Sequence, residues 1–449
     1  MLTKKWFWGL AALLVAGGAY AYFSGDSYEP ADSRFTGAYR LADDSLAVLT
    51  PVDGNRFRLR HQQGGRVQLL LLGEDESFDV HDGFRASATP VTTGRFLRNA
   101  EGALEGFELA SGERATRMAL HEQVGHFPSG DLKLRGKLVL PAGKGPHPVV
   151  VTVHGSESYS AVDYYFMPYM LAANGIAGVA YDKRGTGESD GEYTQDFFAL
   201  AKDTAAAAAW AAADDSVDEQ RVNLMGFSQG GWIAPIAAAD IPGITSLSIH
   251  FGVAVPVVRE DRWGYVYELT KQGFGADVIE MADELNAALS RAVDDGDAAG
   301  WAQVSDLMDA HENSDWLQAL AGSDSLLGRL AEPSTPVWGM RAYFWWNGGP
   351  SAPRTWDPAS TIASLDIPQH WILAGEDSSA PTPESVAALE RLRADGEPID
   401  IRVFPDSEHG MVTYTQADDG ERTSTGYAGT YFDEAIAWLK AHNGLVSDQ

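Results

Sequence analysis

The sequence predicts an α/β protein with a doubly wound, mostly parallel sheet, an inserted helical cap and a small antiparallel β-domain in front. Three observations lead to this fold class. From residue 113 onward, short β-branched segments alternate with helical stretches, which is typical of parallel sheets. A helix-rich segment at about 257–350 interrupts that alternation. Residues 34–112 instead hold short alternating segments separated by turn residues, which favours antiparallel strands.

The composition bounds the possible functions. The chain has 449 residues, enough for two or three domains of roughly 150 residues. It carries 33 basic and 63 acidic residues, which give a formal charge of −30. A surface this acidic repels the phosphate backbone, so a nucleic-acid partner is not expected. There is no cysteine. Disulfides, thiolate catalysis and cysteine-based metal sites are therefore excluded.

The first 23 residues predict a signal peptide or a membrane anchor. Lys4 and Lys5 precede an uncharged stretch from Trp6 to Phe23, which as a helix would rise about 27 Å, close to the ~30 Å of a hydrocarbon core. The small residues of Ala19–Ala21 suit cleavage, whereas aromatic pairs at both ends suit an anchor. A buried soluble helix is a third reading. Either of the first two predicts export, so that the protein is periplasmic, anchored in the inner membrane facing the periplasm, or secreted. Residues 24–33 read as a linker.

The predicted β-domain covers residues 34–112. Hairpin signals at Asp53-Gly54 and Gly64-Gly65 separate its alternating runs, and few positions keep a helical period. The expected strands are Phe35–Leu41, Ser45–Leu49, Arg56–His61, Arg66–Leu72, Phe84–Thr89 and Leu104–Leu109.

Residues 113–449 form the predicted α/β domain, with the cap inserted at about 257–350. Pro148–Val153 is a continuous apolar run rich in β-branched residues, as expected for a strand buried on both faces. Amphipathic helices are expected in the cap at about 274–294 and 301–320. The other expected strands are Lys133–Leu140, Ile176–Tyr181, Arg221–Met225, Thr245–Phe251, Gln369–Leu373 and Ile399–Phe404, and the other helices lie near 166–174, 196–213, 229–239, 382–394 and 429–442.

A candidate nucleophile lies between a predicted strand and a predicted helix. Gly226-Phe-Ser228-Gln-Gly230 has the G-x-S-x-G spacing of a tight strand-to-helix turn, in which glycines let the backbone crowd together and expose the serine hydroxyl. The following helix would direct its free N–H groups at developing negative charge. The alternative is a plain turn serine.

A serine nucleophile needs a base, and the base needs an orienting carboxylate. Asp377 comes just after the next-to-last predicted strand, and His409 lies in the loop after the last one. Both side chains would converge over the carboxyl edge of the sheet. Glu376 is the competing acid, while Asp406 and Glu408 compete less because they precede the histidine in its own loop.

These residues resemble the α/β-hydrolase superfamily, and more closely its bacterial serine-hydrolase branch related to dienelactone hydrolases and prolyl oligopeptidases. The resemblance covers about residues 113–445. It implies a Ser228–Asp377–His409 triad and an oxyanion hole formed by a backbone N–H of Gly155 or Ser156 together with that of Gln229.

One segment departs from the superfamily pattern, and two others resemble known modules. Glu157 follows the His154–Ser156 loop where relatives have Gly-Pro, and we expect its side chain to point away from the anionic intermediate. Asp182–Ser189 is similar to a structural turn of the superfamily and is assigned no catalytic role. Gly37-x-Tyr39-x-Leu41, with the strands after it, resembles small β-barrel-like modules appended to some bacterial hydrolases.

Two other patterns predict no site. Gly185-Thr-Gly187 with Gly191 looks like a dinucleotide fingerprint but follows the wrong strand. His121-Glu122 and His126 have one residue too many for a zinc-binding helix, which Gly125 would also break. No cofactor and no metal are expected.

The inserted cap is expected to shape the substrate pocket. It is rich in large aromatic residues, each of which could equally belong to the cap's own core. The candidate pocket residues are Phe344, Trp345 and Trp346, with Met411 beside His409 as a further wall.

The sequence thus predicts a serine hydrolase that cleaves carboxylic esters of a small-molecule acyl substrate through an acyl-enzyme. A peptidase or aminopeptidase, and a thioesterase or acyltransferase, are the alternatives of the same fold. A membrane-tethered binding protein without activity is the alternative of another class. The membrane would be a partner only if the N-terminal segment stays uncleaved, and the sequence leaves the oligomeric state open.

Overall fold

The computed structural model describes residues 30–321, 323, 325–417 and 421–445. The predicted signal peptide or anchor at 1–23, and residues 24–29 of the predicted linker, lie outside the described residues. Among the residues that are described, no helix is both long and apolar enough to cross a membrane.

The chain divides into two compact units. One consists of residues 255–357 with 378–381, and corresponds to the predicted cap. The other contains the remaining described residues, so the N-terminal β-domain and the main sheet belong to the same unit. The boundary drawn at 112 in the sequence separates two sheets but not two compact units.

The N-terminal strands form a closed antiparallel barrel, in which β1 pairs with both β2 and β8. The predicted strand at Phe84–Thr89 is wrong, because that segment is a loop and strands lie on either side of it. Phe84 packs outside the barrel against the Tyr427 ring, with centroids 5.6 Å apart. The strands are β1 (Gly37–Arg40), β2 (Leu46–Asp53), β3 (Arg56–His61), β4 (Val67–Leu72), β5 (Ser77–Asp82), β6 (Thr92–Arg98), β7 (Leu104–Leu109) and β8 (Arg114–Arg117), with a 3-10 turn at Gln63–Gly65.

Aromatic side chains fill the barrel. Phe35 and Phe96 stack with centroids 3.9 Å apart, and the Tyr39 hydroxyl donates to the carbonyl of Phe35 at 2.5 Å. Strands β7 and β8 also approach closely at Gly106, where a methyl group would lie 1.9 Å from the carbonyl oxygen of Ala115. The inward-facing residues, which alternate along each strand, therefore give the barrel a packed core that is separate from that of the main sheet.

The main sheet has eight strands in the order β16-β15-β14-β13-β11-β12-β10-β9, and its central and last strands are parallel. The predicted fold class is confirmed. β9 was not predicted, although it pairs antiparallel with β10 along its whole length. The strands are β9 (His121–Ser129), β10 (Leu132–Leu140), β11 (His147–Val153), β12 (Ala177–Tyr181), β13 (Val217–Phe227), β14 (Ile244–His250), β15 (Gln369–Ala374) and β16 (Ile399–Phe404).

Helices cover this sheet and bury its β-branched strands, so that β11 is almost free of solvent contact. One large apolar core lies between the sheet and two helices. One of these helices precedes β12 in the chain, and the other is the last helix. The helices are α1 (Ala161–Tyr164), α2 (Met167–Ala173), α3 (Phe197–Ala212), α4 (Gly230–Asp240), α11 (Ala359–Ala363), α12 (Thr382–Ala394) and α13 (Tyr431–His442).

The cap unit is helical and has a separate apolar core. The predicted helix at 301–320 is two helices, because the chain turns before Ser314, which precedes the second one. Arg354 is buried and its guanidinium pairs with Asp261 at 2.5 Å and with Asp294 at 2.8 Å. The cap helices are α5 (Val257–Lys271), α6 (Ala276–Asp294), α7 (Ala298–His311), α8 (Asp315–Leu320), α9 (Leu326–Ala331) and α10 (Val337–Asn347).

A hairpin of β17 (Val412–Gln416) and β18 (Arg422–Tyr427) follows the predicted catalytic histidine and was not predicted. It bridges to the barrel through Arg66 and Gly426. The loop that carries His409 is therefore connected directly to a hairpin that contacts the N-terminal barrel.

Candidate active site

Ser228 occupies a strained turn between β13 and α4. Its φ of +50° lies in the left-handed region, which serine rarely adopts. Its N–H donates to the carbonyl of His250 at 3.1 Å, and its carbonyl accepts from the N–H of Gly231 at 2.8 Å. This is the elbow that the G-x-S-x-G spacing predicts.

The two glycines of the motif are required by close backbone contacts. A methyl group at Gly226 would lie 2.5 Å from the carbonyl oxygen of Gly230. One at Gly230 would lie 2.4 Å from the carbonyl oxygen of Val153, at the end of β11. The turn can therefore form only where both positions lack a Cβ atom.

The structure brings Ser228, His409 and Asp377 together. His409 Nε2 lies 3.0 Å from Ser228 Oγ, and His409 Nδ1 lies 2.9 Å from Asp377 Oδ2 and 3.1 Å from Oδ1. The Asp377 side chain is fully buried, whereas 27% of the His409 side chain is exposed. The Phe251 ring meets the imidazole edge to face at 5.1 Å. The imidazole is thus held between a hydroxyl and a buried carboxylate.

The competing carboxylates have other positions. Glu376 is half exposed and its carboxylate lies 3.4 Å from the guanidinium of Arg422. Glu408 accepts from the backbone N–H of His409 at 3.0 Å and also pairs with Arg422. Asp406 is exposed. Asp377 is the carboxylate that contacts the imidazole.

The predicted oxyanion loop passes beside the serine. A methyl group at Gly155 would lie 3.2 Å from Cβ of Ser228. Gln229 directly precedes α4, where the helix N-terminus favours negative charge. Ser156 is exposed, and its carbonyl accepts a hydrogen bond from the Tyr193 hydroxyl. The choice between Gly155 and Ser156 as a donor stays a prediction.

Glu157 does not point away from this loop as expected. One of its carboxylate oxygens lies 2.7 Å from where a Cβ of Gly155 would be, and the other accepts from the hydroxyl of Tyr165. The partly buried Tyr165 offers the carboxylate a hydrogen-bond donor inside the loop. A negative charge is therefore placed close to the serine.

Lys183 is a residue of the site that sequence reasoning missed. It is 1% exposed, and Nζ donates to the carbonyl of Gly155 at 2.7 Å. Burial lowers the pKa of Lys183 to about 8, and the negative charge of Glu157 partly opposes this. The available signal is a lysine two residues after the end of a buried strand, β12, in a loop whose sequence resembles only a structural turn.

The rest of that turn is structural, as predicted. The Asp182 carboxylate accepts from Ser160 Oγ at 2.7 Å and from the N–H of Val162 at 3.0 Å. A methyl group at Gly187 would lie 2.0 Å from the same carboxylate. One glycine of the pattern that imitates a dinucleotide fingerprint therefore accommodates a buried aspartate.

The candidate pocket residues lie in both units. Trp345 and Trp346 are 77% and 73% exposed, while Phe344 packs on Trp301 inside the cap core, with centroids 6.5 Å apart. Met411 is fully buried in the main core. Their role as a pocket stays a prediction. Over the described ranges, no cluster of three or more acidic or histidine side chains is arranged to hold a metal.

Comparison with known proteins gives partial matches. The model of the X-Pro dipeptidyl-peptidase family (S15) matches residues 129–344, slightly under half of the chain. An uncharacterised 31.7 kDa Escherichia coli protein from the traX-finO intergenic region is 33% identical over 105 residues, which are 22% of this chain and 36% of that protein. A second match of the same description is 32% identical over 96 residues. The chain spans about a third of the length of these curated relatives.

Several solved structures are similar over larger parts of the chain. A Pyrococcus horikoshii acylaminoacyl peptidase is 13% identical with a TM-score of 0.45, covering 89% of this chain and 56% of that one. A Pyrococcus furiosus esterase is 16% identical with a TM-score of 0.41, covering 65% and 84%. The α/β hydrolase GrgF from Penicillium is 18% identical with a TM-score of 0.43, covering 73% and 100%. Similarity at this level is no guide to the substrate.

The protein's own architecture agrees with the family match. The parallel strands of the main sheet follow the order of a doubly wound fold, and the candidate serine occupies an elbow at the carboxyl end of a central strand. Together with the partial match to the S15 family model, these features give the chain an α/β-hydrolase fold and support its assignment as a serine hydrolase.

Proposed function

We propose that this protein hydrolyses carboxylic esters through a triad of Ser228, His409 and Asp377. The observation that supports this most is the imidazole of His409, which contacts the serine hydroxyl at 3.0 Å and the buried carboxylate at 2.9 Å. Nucleophile, base and orienting acid thus lie in hydrogen-bonding sequence, the arrangement that activates a serine.

In the proposed reaction Ser228 Oγ attacks the acyl carbon while His409 Nε2 takes the hydroxyl proton. Asp377 keeps the imidazole in the tautomer with a proton on Nδ1 and stabilises the imidazolium that forms. The backbone N–H of Gln229, with one from the Gly155–Ser156 loop, would stabilise the oxyanion, an effect of about 10²–10³ in rate per donor. His409 returns the proton to the leaving alcohol, and water then releases the acid by the same route.

A peptidase that takes substrates with a free amino terminus is the second candidate. The match to the X-Pro dipeptidyl-peptidase family model favours it. So does the carboxylate of Glu157, which lies next to Gly155 and could pair with an ammonium group. Thioester and acyl-transfer chemistry would use the same triad.

Labelling with a fluorophosphonate and turnover of p-nitrophenyl esters test the proposal. We expect the wild type to label and to turn over esters, and Ser228→Ala and His409→Ala to do neither. Ser111→Ala, which changes an exposed serine in a barrel turn, is the matched control and should behave as wild type.

The substrate panel separates the candidates. Efficient turnover of alkyl esters with slow turnover of Xaa-Pro p-nitroanilides supports the esterase, and the reverse supports the peptidase. Folded protein that neither labels nor turns over any substrate would leave the binding protein as the remaining hypothesis.

We further propose that the chain is exported, and that its membrane partner, if any, is contacted through residues 1–23. The two N-terminal lysines and the uncharged stretch after them support this. Fractionation of cells that express the full chain, followed by mass determination of the mature N-terminus, distinguishes a cleaved signal from a retained anchor.

A further inference from the structure

Two arginines lie side by side on the outer face of the barrel. In β3, Phe57 and Leu59 point into the barrel core and are almost fully buried. Because side chains alternate along a strand, Arg58 and Arg60 point to the opposite face, away from that core. An outer barrel face normally meets water, yet Arg60 is only 6% exposed.

Aromatic and neutral groups surround both guanidinium groups. That of Arg60 donates to Thr50 Oγ1 at 2.8 Å and to the Tyr427 hydroxyl at 3.2 Å, and lies 4.4 Å from the Phe166 ring centroid. The guanidinium of Arg58 lies 4.9 Å from the ring centroid of Phe84. Arg58 Nε is buried and has no hydrogen-bond partner among the described residues.

Buried Arg60 and partly buried Arg58 differ from arginines that are buried together with carboxylates. Arg135 pairs with Asp163, and Arg354 pairs with two aspartates of the cap. In the described part of the chain, no carboxylate oxygen forms an ion pair with Arg58 or Arg60, although acidic residues outnumber basic ones by 63 to 33. Burial and the like charge of Arg60 lower the pKa of Arg58 to about 10. A buried cation beside a partly buried one, both without a counter-ion, is unfavourable unless an anion joins them.

The pair lies beside the loops of the active site. Tyr159 belongs to the predicted oxyanion loop, and burial raises its pKa while the nearby positive charges of Arg60 and Arg58 act in the opposite direction. Tyr427, the hydrogen-bond partner of Arg60, ends the hairpin that follows His409. The two cations therefore lie near two segments of the candidate site, the loop after β11 and the hairpin that follows His409.

We propose that Arg58 and Arg60 form an anion-binding subsite of the hydrolase, which binds a carboxylate group carried by the acyl substrate. This rests on the proposed serine-hydrolase function. A guanidinium presents parallel N–H donors that match the two oxygens of a carboxylate, and a second guanidinium beside it adds charge. The hydroxyl of Tyr427, which accepts from Arg60, is a further polar group beside the pair. The barrel thus supplies substrate specificity to a site whose reactive groups come from the main sheet.

Matched pairs of p-nitrophenyl esters test this subsite. Each pair has one acyl chain length and ends either in a methyl group or in a carboxylate, from the succinate to the suberate monoester. We expect the wild type to prefer the carboxylate member at one chain length. Arg58→Gln should lower kcat/KM for that ester roughly tenfold to a hundredfold, the usual effect of a lost charge-assisted hydrogen bond, and leave the neutral ester within about twofold.

Two variants control for charge and for folding. Arg56→Gln removes the same charge from the same face of β3, but Arg56 is exposed and paired with Asp53, so both esters should be turned over as by wild type. Arg58→Lys keeps the charge and should retain part of the preference. Unchanged turnover of the neutral ester by Arg58→Gln shows that this variant is folded.

The outcomes separate this inference from the proposed function. Turnover of neutral esters with no preference for any carboxylate ester, and no effect of Arg58→Gln, overturns the subsite and leaves the hydrolase intact. If no ester is turned over, the proposed function fails, and calorimetric titration with the free dicarboxylates then decides the subsite: binding by wild type that Arg58→Gln weakens at least tenfold supports it, and equal or absent binding overturns it.

Discussion

Replacing Lys183 by methionine should change stability and catalysis in ways that the structure makes calculable. The ammonium group is buried, and burial lowers the pKa of Lys183 from 10.5 to about 8. At about 1.4 kcal/mol for each pKa unit, the protonated lysine destabilises the folded protein at pH 7 by about 3 kcal/mol. Its hydrogen bond to the carbonyl of Gly155 offsets part of this cost, but that bond depends little on pH.

The pH dependence isolates the buried charge. The pKa is lower in the folded than in the unfolded state, so between pH 8 and 10.5 the unfolded state binds more protons, and the free energy of unfolding of the wild type rises with pH. Relative to Lys183→Met, the wild type should gain about 2 kcal/mol between pH 7 and about pH 9.5. Urea unfolding of both proteins at several pH values measures this difference.

The catalytic effect distinguishes Lys183 from another buried lysine. Loss of the donor to Gly155 frees the oxyanion loop, so kcat should fall about tenfold to a hundredfold with little change in KM. Lys137→Met is the matched control, because Lys137 is buried in β10, has a lowered pKa and donates to Tyr169. It should show a pH effect on stability without the loss of kcat. Parallel pH profiles for wild type and Lys183→Met, or an unchanged kcat, would refute this reasoning.

Three further substitutions have definite expected results. Asp377→Asn should lower kcat by about 10³–10⁴ without unfolding the protein, since the amide favours the wrong imidazole tautomer; steady-state kinetics and circular dichroism measure both. Gly230→Ala should destabilise the protein by about 1–3 kcal/mol in urea, because its methyl would lie 2.4 Å from a carbonyl of β11. Gly429→Ala should not, since its methyl would meet nothing nearer than the carbonyl oxygen of Gly64 at 3.9 Å. Arg354→Met leaves two buried aspartates of the cap unpaired and should cost about 3–5 kcal/mol, visible as faster hydrogen exchange in the cap helices.

Local patterns predicted much of the fold and the reactive groups. The strands Arg56–His61 and Leu104–Leu109 have the predicted bounds, because alternation and turn residues define them without help from distant segments. The proximity of Ser228, Asp377 and His409 was predictable because each follows a strand of one parallel sheet, and the ends of parallel strands meet at a common edge. Chain order was sufficient to bring them together.

Contacts between distant segments were out of reach of the same reasoning. The sequence of β9 is mostly polar and the strand is largely exposed, so no local pattern predicts it. It is a strand because its backbone pairs with β10. Glu157 was expected to avoid the site because only its charge was considered. The hydroxyl of Tyr165, which donates a hydrogen bond to its carboxylate, is brought there only by the fold. Lys183 was likewise hidden, since its acceptor is a backbone carbonyl that no side-chain pattern reports.

The barrel is joined to the main sheet by polar contacts that a freely tethered module would not need. Gln62 donates to Asp433 of α13 at 3.0 Å and accepts from Asn174 at 2.7 Å. A methyl group at Gly65 would lie 2.4 Å from the carbonyl of Tyr427, so the turn after β3 fits closely against the end of β18. The hairpin that ends there begins next to His409. Because one strand, β3, leads to this turn and also carries the two unpaired arginines, the position of that proposed subsite relative to the histidine loop is fixed by packing rather than by a linker.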